Sequence, residues 1–189
     1  MVKILIVNNA EPGITAFADS IEKIVTNFGA VSTVIEYAAC NNYPVNEFDG
    51  IILTGSPQGD DIIEHHAPYF GWIKECTIPV LGICAGHHIT GFLFGSEILR
   101  SKEPESGDGE IEVLVSDPIF YDMEKNLTVR QMHNDSVTLP SNFTLLATSP
   151  ICKNQMMKHK NKPIYTCQFH PEFYNHRLIA NFIGLCSGL

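Results

Sequence analysis

The chain has no Cys-x-x-Cys pair, no His-Glu-x-x-His, no glycine-rich loop of the Walker or dinucleotide-binding kind, and no apolar run long enough to cross a bilayer. Each absence removes a class of function. The six cysteines, at 40, 76, 84, 152, 167 and 186, lack the spacing of a zinc ribbon or a dense disulfide framework, so most read as small buried hydrophobes. The histidine pairs His65-His66 and His87-His88 are sequence neighbours whose side chains diverge on a helix or strand, and no metal is expected from them. Without a phosphate-cradling loop no cofactor is expected either, and any ATP used belongs to a partner chain. The opening MVKILIVNNAEPG holds only about five consecutive apolar residues before Asn8, too few for a signal-peptide core or a membrane span, so a cytoplasmic protein without a membrane partner is expected.

Cations are scarce as well. Lys and Arg number 12 against 21 Asp and Glu, a formal net charge of −9, which argues against nucleic-acid binding. The charge is uneven: across 101–124 Lys102 is the single cation among eight acids, whereas across 125–170 six cations face only Asp135. Solvated loops account for such runs. The sharper reading makes KHKNK (158–162) part of a cationic rim for an acidic partner or a nucleotide substrate.

What is present is enough apolar residue for one sizeable core. With 189 residues at 44% hydrophobic content, and no repeat, low-complexity tract or linker, 1–189 reads as a single domain. VKILIV is a β-branched run apolar on both faces, as a buried parallel strand requires. ITAFADSIEKIVTNFG then places Ile14, Phe17, Ile21, Ile24, Val25 and Phe28 at helical spacing, with Gly29 as its C-terminal stop. VSTVIEY, DGIILTG and TIPVLGIC continue as strands, a helix is expected over 61–74, and GHHITGFLFG reads as a helix closed by Gly95. After Gly95 the pattern turns β-rich through GEIEVLVS, NLTVRQM, FTLLATS and PIYTCQF, before NHRLIANFIGLC returns to helix. The fold class is therefore α/β, in three layers: a mainly parallel open sheet flanked by helices, with an antiparallel β extension in the second half.

Chemistry concentrates where strands end. Gly82-x-Cys84-x-Gly86 lies between a strand and a helix, the pattern of a nucleophile elbow with sulfur in place of oxygen. A side chain at either glycine is expected to crowd the strained nucleophile, and the N-terminus of the following helix favours thiolate. A structural buried cysteine is the plain alternative. CQFHPEF ends another strand and brings His170 as a base, with Glu172 two residues on to orient the imidazole. LTGSPQG (53–59) turns through small residues. There a backbone N–H of Gly55 or Ser56 would join that of Ala85 around a developing oxyanion.

LTGSP, PVLGICAGHH, MHNDSVTLP and YTCQFHPEF together resemble the class I, triad-type glutamine amidotransferases over nearly the whole chain. The resemblance implies Cys84 as nucleophile, His170 as base and Glu172 as its partner. Glutamine is then the substrate, a glutamyl thioester the intermediate, and a separate synthetase, ATP-using, the recipient of the ammonia. It also implies that the MHNDSV segment, with His133 and Asp135, helps hold glutamine or meets the synthetase. The last third looks most like the separate glutaminase subunit of archaeal-type GMP synthase. Two departures stand out. The family's usual glutamine four residues after the cysteine is His88 here, a shorter group able to acquire charge, and the first strand runs into NNAEPG rather than a Gly-Gln-Tyr type of sequence. A free-standing γ-glutamyl or other amide hydrolase with the same triad, and a regulatory binding module without turnover, are the competing readings.

Overall fold

The computed structural model describes residues 1–57 and 62–188. The helix expected over 61–74 and the turn expected over 53–59 thus lie partly outside the described residues. Strand β1 (Lys3–Asn8) is flanked in parallel by β2 (Val31–Glu36) and β3 (Gly50–Leu53). β4 (Val80–Ile83) follows beside β3, and β11 (Ile164–Cys167) lies parallel to β4. Beyond β11 the sheet continues antiparallel through β10 (Met156–His159), β9 (Phe143–Thr148), β6 (Glu105–Val113) and β7 (Asn126–His133). β5 (Ile98–Leu99) and β8 (Ser136–Val137) form a separate two-stranded ribbon.

Side-chain alternation along β1 shows why three layers form. Ile4 and Ile6 join the apolar cluster containing Ile21 and Val25 of α1 (Ala16–Asn27) and Leu178 and Phe182 of α4 (His176–Cys186). Leu5 and Val7 point the other way, into a cluster with Phe70, Ile73 and Ile89, the last on α3 (Ala85–Leu93). All four β1 residues are fully buried, and each such side chain stabilises the fold by about 1.5–3 kcal/mol. Gly29 stops α1 at φ +78°, which lets the Ala30 N–H reach the Val25 carbonyl at 3.2 Å. Ile14 and Phe28, expected on the helix's apolar stripe, fall outside its ends and are exposed.

Three expectations need adjusting. The expected helix past 61 is broken: α2 (Ile62–His66) gives way to 3₁₀ turns over Ala67–Tyr69 and Gly71–Glu75, because Pro68 supplies no N–H for continuation. The strand expected at GEIEVLVS begins earlier, at Glu105, and stops at Val113. KHKNK is less open than a cationic rim at Lys158, which is half-buried, while Lys160 is exposed. Its first residues belong to β10, inside the sheet, where Lys158 pairs with Asp117 at 2.8 Å, and Lys160 donates to the Ser141 carbonyl at 2.8 Å. No described helix is long and apolar enough to cross a membrane.

Candidate active site

β3, β4 and β11 are adjacent and parallel, so their carboxyl ends leave the sheet at one edge, with Leu53 beside Gly82 and Cys167 beside Ile83. This register brings Thr54–Ser56, Cys84 and Gln168–His170 together despite their separation in the chain. Cys84 has φ 48° and ψ −98°, a strained backbone for a residue with a side chain, and α3 begins at the next residue. The flanking glycines are required, for a reason other than the one expected. A Cβ on Gly82 would lie 2.6 Å from the Gly86 carbonyl oxygen, and one on Gly86 would lie 2.7 Å from Leu53 Cβ and its carbonyl oxygen. The elbow would clash with itself and with β3, not with the cysteine.

His170 Nδ1 is 2.7 Å from Glu172 Oε1, and both side chains are 1% exposed. A carboxylate only accepts, so Nδ1 carries a hydrogen and Nε2 is left for the thiol. Cys84 and His170 line the same cavity, with the imidazole close enough to the sulfur to be influenced by it. Burial opposes charge on the imidazole, yet the Cys84 charge and hydrogen bond, reinforced by Glu172, outweigh it and raise His170 to about 10. The arrangement favours a charged imidazolium beside the Cys84 sulfur. Phe17 stacks on the ring at 4.9 Å between centroids, and the His170 N–H donates to the Arg130 carbonyl at 2.9 Å, which fixes the loop after β11.

These groups open into a cavity of about 380 Å³, within the size range of small-molecule sites. Cys84, Ala85, His88, Ser56, His133 and His170 all contribute to its wall. Gly55 lies just behind them: a Cβ there would come within 2.6 Å of His170 Cε1. Asn9 holds this turn, donating its backbone N–H to Thr54 Oγ1 at 3.0 Å and its side-chain amide to the Thr54 carbonyl at 2.7 Å. His88 is neutral: burial, the leading cause, lowers it to about 4, against the expectation that it could acquire charge. Its Nε2 sits 2.6 Å from Gln168 Oε1.

Asp135 does not appear among the described residues lining the cavity. Its carboxylate accepts from Arg100 Nη1 at 2.7 Å and the Ser101 N–H at 2.8 Å, so it braces the loop after β5. His133 does line the cavity, with Nδ1 2.9 Å from the Asp135 carbonyl and Nε2 3.2 Å from Glu105. Among the described residues Glu105, His133 and Cys152 come close enough to approach a metal ion. Ser149, Gln155 and His133 already meet the Glu105 carboxylate, however, so its lone pairs are satisfied without one. Sequence reasoning missed Gln168, Phe17, Asn9 and Met132 at the site. Only Gln168 left a signal, being two residues before His170 and so on the same face of an extended chain.

The family model described as glutamine amidotransferase class-I matches residues 14–183. The glutamine-hydrolyzing GMP synthase subunit of Methanosarcina acetivorans is 33% identical over 191 residues, covering 98% of this chain and 97% of that protein. Its counterpart in Thermoplasma acidophilum is 37% identical over 145 residues, covering 74% and 72% of the two chains. The crystal structure of a protein from Thermoplasma acidophilum, described as a GMP synthase subunit of the same type, superposes with a TM-score of 0.90 at 30% identity, covering 100% of this chain and 95% of that one. A glutamine amidotransferase from Thermotoga maritima, 22% identical with a TM-score of 0.74, shares the fold, over 99% of this chain and 83% of its own. With an elbow cysteine and a carboxylate-bound histidine on one edge of its sheet, and that match along most of its length, the chain belongs to the class I glutamine amidotransferase family.

Proposed function

We propose that the chain, read as one domain over 1–189, hydrolyses the side-chain amide of glutamine and hands the ammonia to a separate synthetase subunit that uses ATP, in the amination step of GMP synthesis. The observation that carries this reading is the buried Cys84–His170–Glu172 series opening into a cavity of small-molecule size. Cys84 thiolate attacks the amide carbon, forming a tetrahedral oxyanion. Backbone N–H groups at Ala85 and in the Gly55–Ser56 turn receive it in this reading. His170, protonated at the start, gives its proton to the leaving nitrogen, so ammonia departs and the glutamyl thioester remains. The neutral imidazole then takes a proton from water, hydroxide adds to the thioester, and glutamate leaves as the thiolate returns. Glu172 holds the imidazole in the tautomer both steps need.

Partner identity is supported by the relatives that are glutamine-hydrolyzing subunits of GMP synthase. Cytoplasmic location agrees with such a role. The test is release of glutamate and ammonia from glutamine by the chain, alone and with the synthetase subunit of an archaeal-type GMP synthase. The reading predicts glutamine hydrolysis that rises when the synthetase is added and disappears in Cys84→Ala. Turnover of bulky γ-glutamyl amides with none of glutamine would instead establish a free-standing amide hydrolase.

A further inference from the structure

We propose that Gln168 is a further catalytic residue, donating an amide N–H to the Cys84 thiolate, and that His88 is the positioning residue holding Gln168 in that orientation. The inference rests on Cys84 being the nucleophile and assigns roles to two groups outside the triad. Gln168 is completely buried in the first turn past β11, with Nε2 3.9 Å from Cys84 Sγ and Oε1 2.6 Å from His88 Nε2. The Met132 carbonyl lies 3.9 Å from the same sulfur. That carbonyl suits a thiol, which donates to it, and opposes a thiolate.

Two orientations of the amide fit its shape. With Oε1 on the sulfur, a thiolate would face two acceptors, the amide and Met132. With Nε2 on the sulfur, the amide offsets the carbonyl and adds a donor to the anion, as a thiolate next to His170 requires. That second arrangement needs His88 to carry its hydrogen on Nε2, since Oε1 only accepts. Burial keeps His88 neutral, so the donor is present without a competing positive charge. The histidine standing where the family's usual glutamine binds substrate thus has its Nε2 turned to a protein amide.

The experiment is the pH dependence of Cys84 alkylation by iodoacetamide on the full chain, read on the Cys84 peptide. It is paired with glutamine kinetics in the presence of the synthetase, and thermal midpoints confirm that each variant is folded. Gln168→Met should raise the alkylation midpoint by about one pH unit, a roughly tenfold loss of thiolate below it. His88→Phe should raise it by about half a unit and lower kcat with KM unchanged, while His88→Gln, which keeps a donor, should restore both. Should His88→Phe not fold, Gln168→Met alone decides. Coincident midpoints for wild type and Gln168→Met would overturn the proposal, as would a His88→Phe variant whose only change is a higher KM. A wild-type Cys84 that titrates as an ordinary free thiol would reject the nucleophile reading itself, a distinguishable outcome.

Discussion

The sheet has two halves that obey different rules. In β2–β1–β3–β4–β11 the central strands β1, β3, β4 and β11 are buried on both faces, whereas β6 and β7 alternate inward and outward residues with one side toward solvent. The parallel half holds the groups proposed to react on strand ends that cannot shift without disturbing two apolar layers. The antiparallel half contributes a cavity wall, through Met132, His133 and Glu105, with far fewer steric constraints. Chemistry sits where the backbone is most constrained, and the wall is the part with room to vary.

The largest contrast is in activity. Cys84→Ala should reduce glutamine hydrolysis by at least about 10⁴-fold. In the opposite wall Met132→Leu, which keeps the volume and the backbone carbonyl, should change it by less than about threefold. A comparable loss from both would erase the distinction between the halves. Next is stability. Gly86→Ala drives a methyl into the β3 backbone and should cost about 3 kcal/mol in denaturant unfolding. Gly109→Ala in β6 meets only Gln131 Cγ at 3.5 Å and should stay within about 0.5 kcal/mol.

The acid limb sharpens the same contrast. His88 has a folded value of about 4 against an ordinary value of 6.5. Between those pH values the unfolded chain binds a proton that the folded chain refuses, so stability falls as pH drops from 6.5 to 4. The maximum contribution is about 3 kcal/mol, and His88→Gln should flatten the slope measured by unfolding at several pH values. The smallest effect is a gain: Cys84→Gly relieves a positive φ and should stabilise the inactive chain by about 1 kcal/mol, seen as a higher thermal midpoint than Cys84→Ala.

The parallel half was legible in the sequence because burial on both faces writes itself as continuous β-branched runs, as in KILIV. β10 was not: Met156-Met157 precedes lysines, and Lys158 is accommodated by a half-exposed side chain that pairs with Asp117, 41 residues earlier, and lies over the Tyr165 ring. At the site, Cys84, His170 and Glu172 could be named from short motifs whose chemistry is local. Phe17 and Asn9 could not, because their contacts depend on where α1 and β1 end, and Gln168 left only its spacing from His170, its contact with Cys84 depending on the register of β4 against β11. The protonation of His88 was misjudged for a related reason: its charge is decided by burial, which a residue type alone does not reveal.

The most direct measurement is covalent capture by a glutamine-like diazoketone, followed by peptide mass analysis of wild type, His170→Ala and Glu172→Gln. A single adduct on Cys84, formed slowly in Glu172→Gln and hardly at all in His170→Ala, is the predicted result. An adduct on another cysteine, or one on Cys84 forming at the same rate in all three proteins, would contradict it.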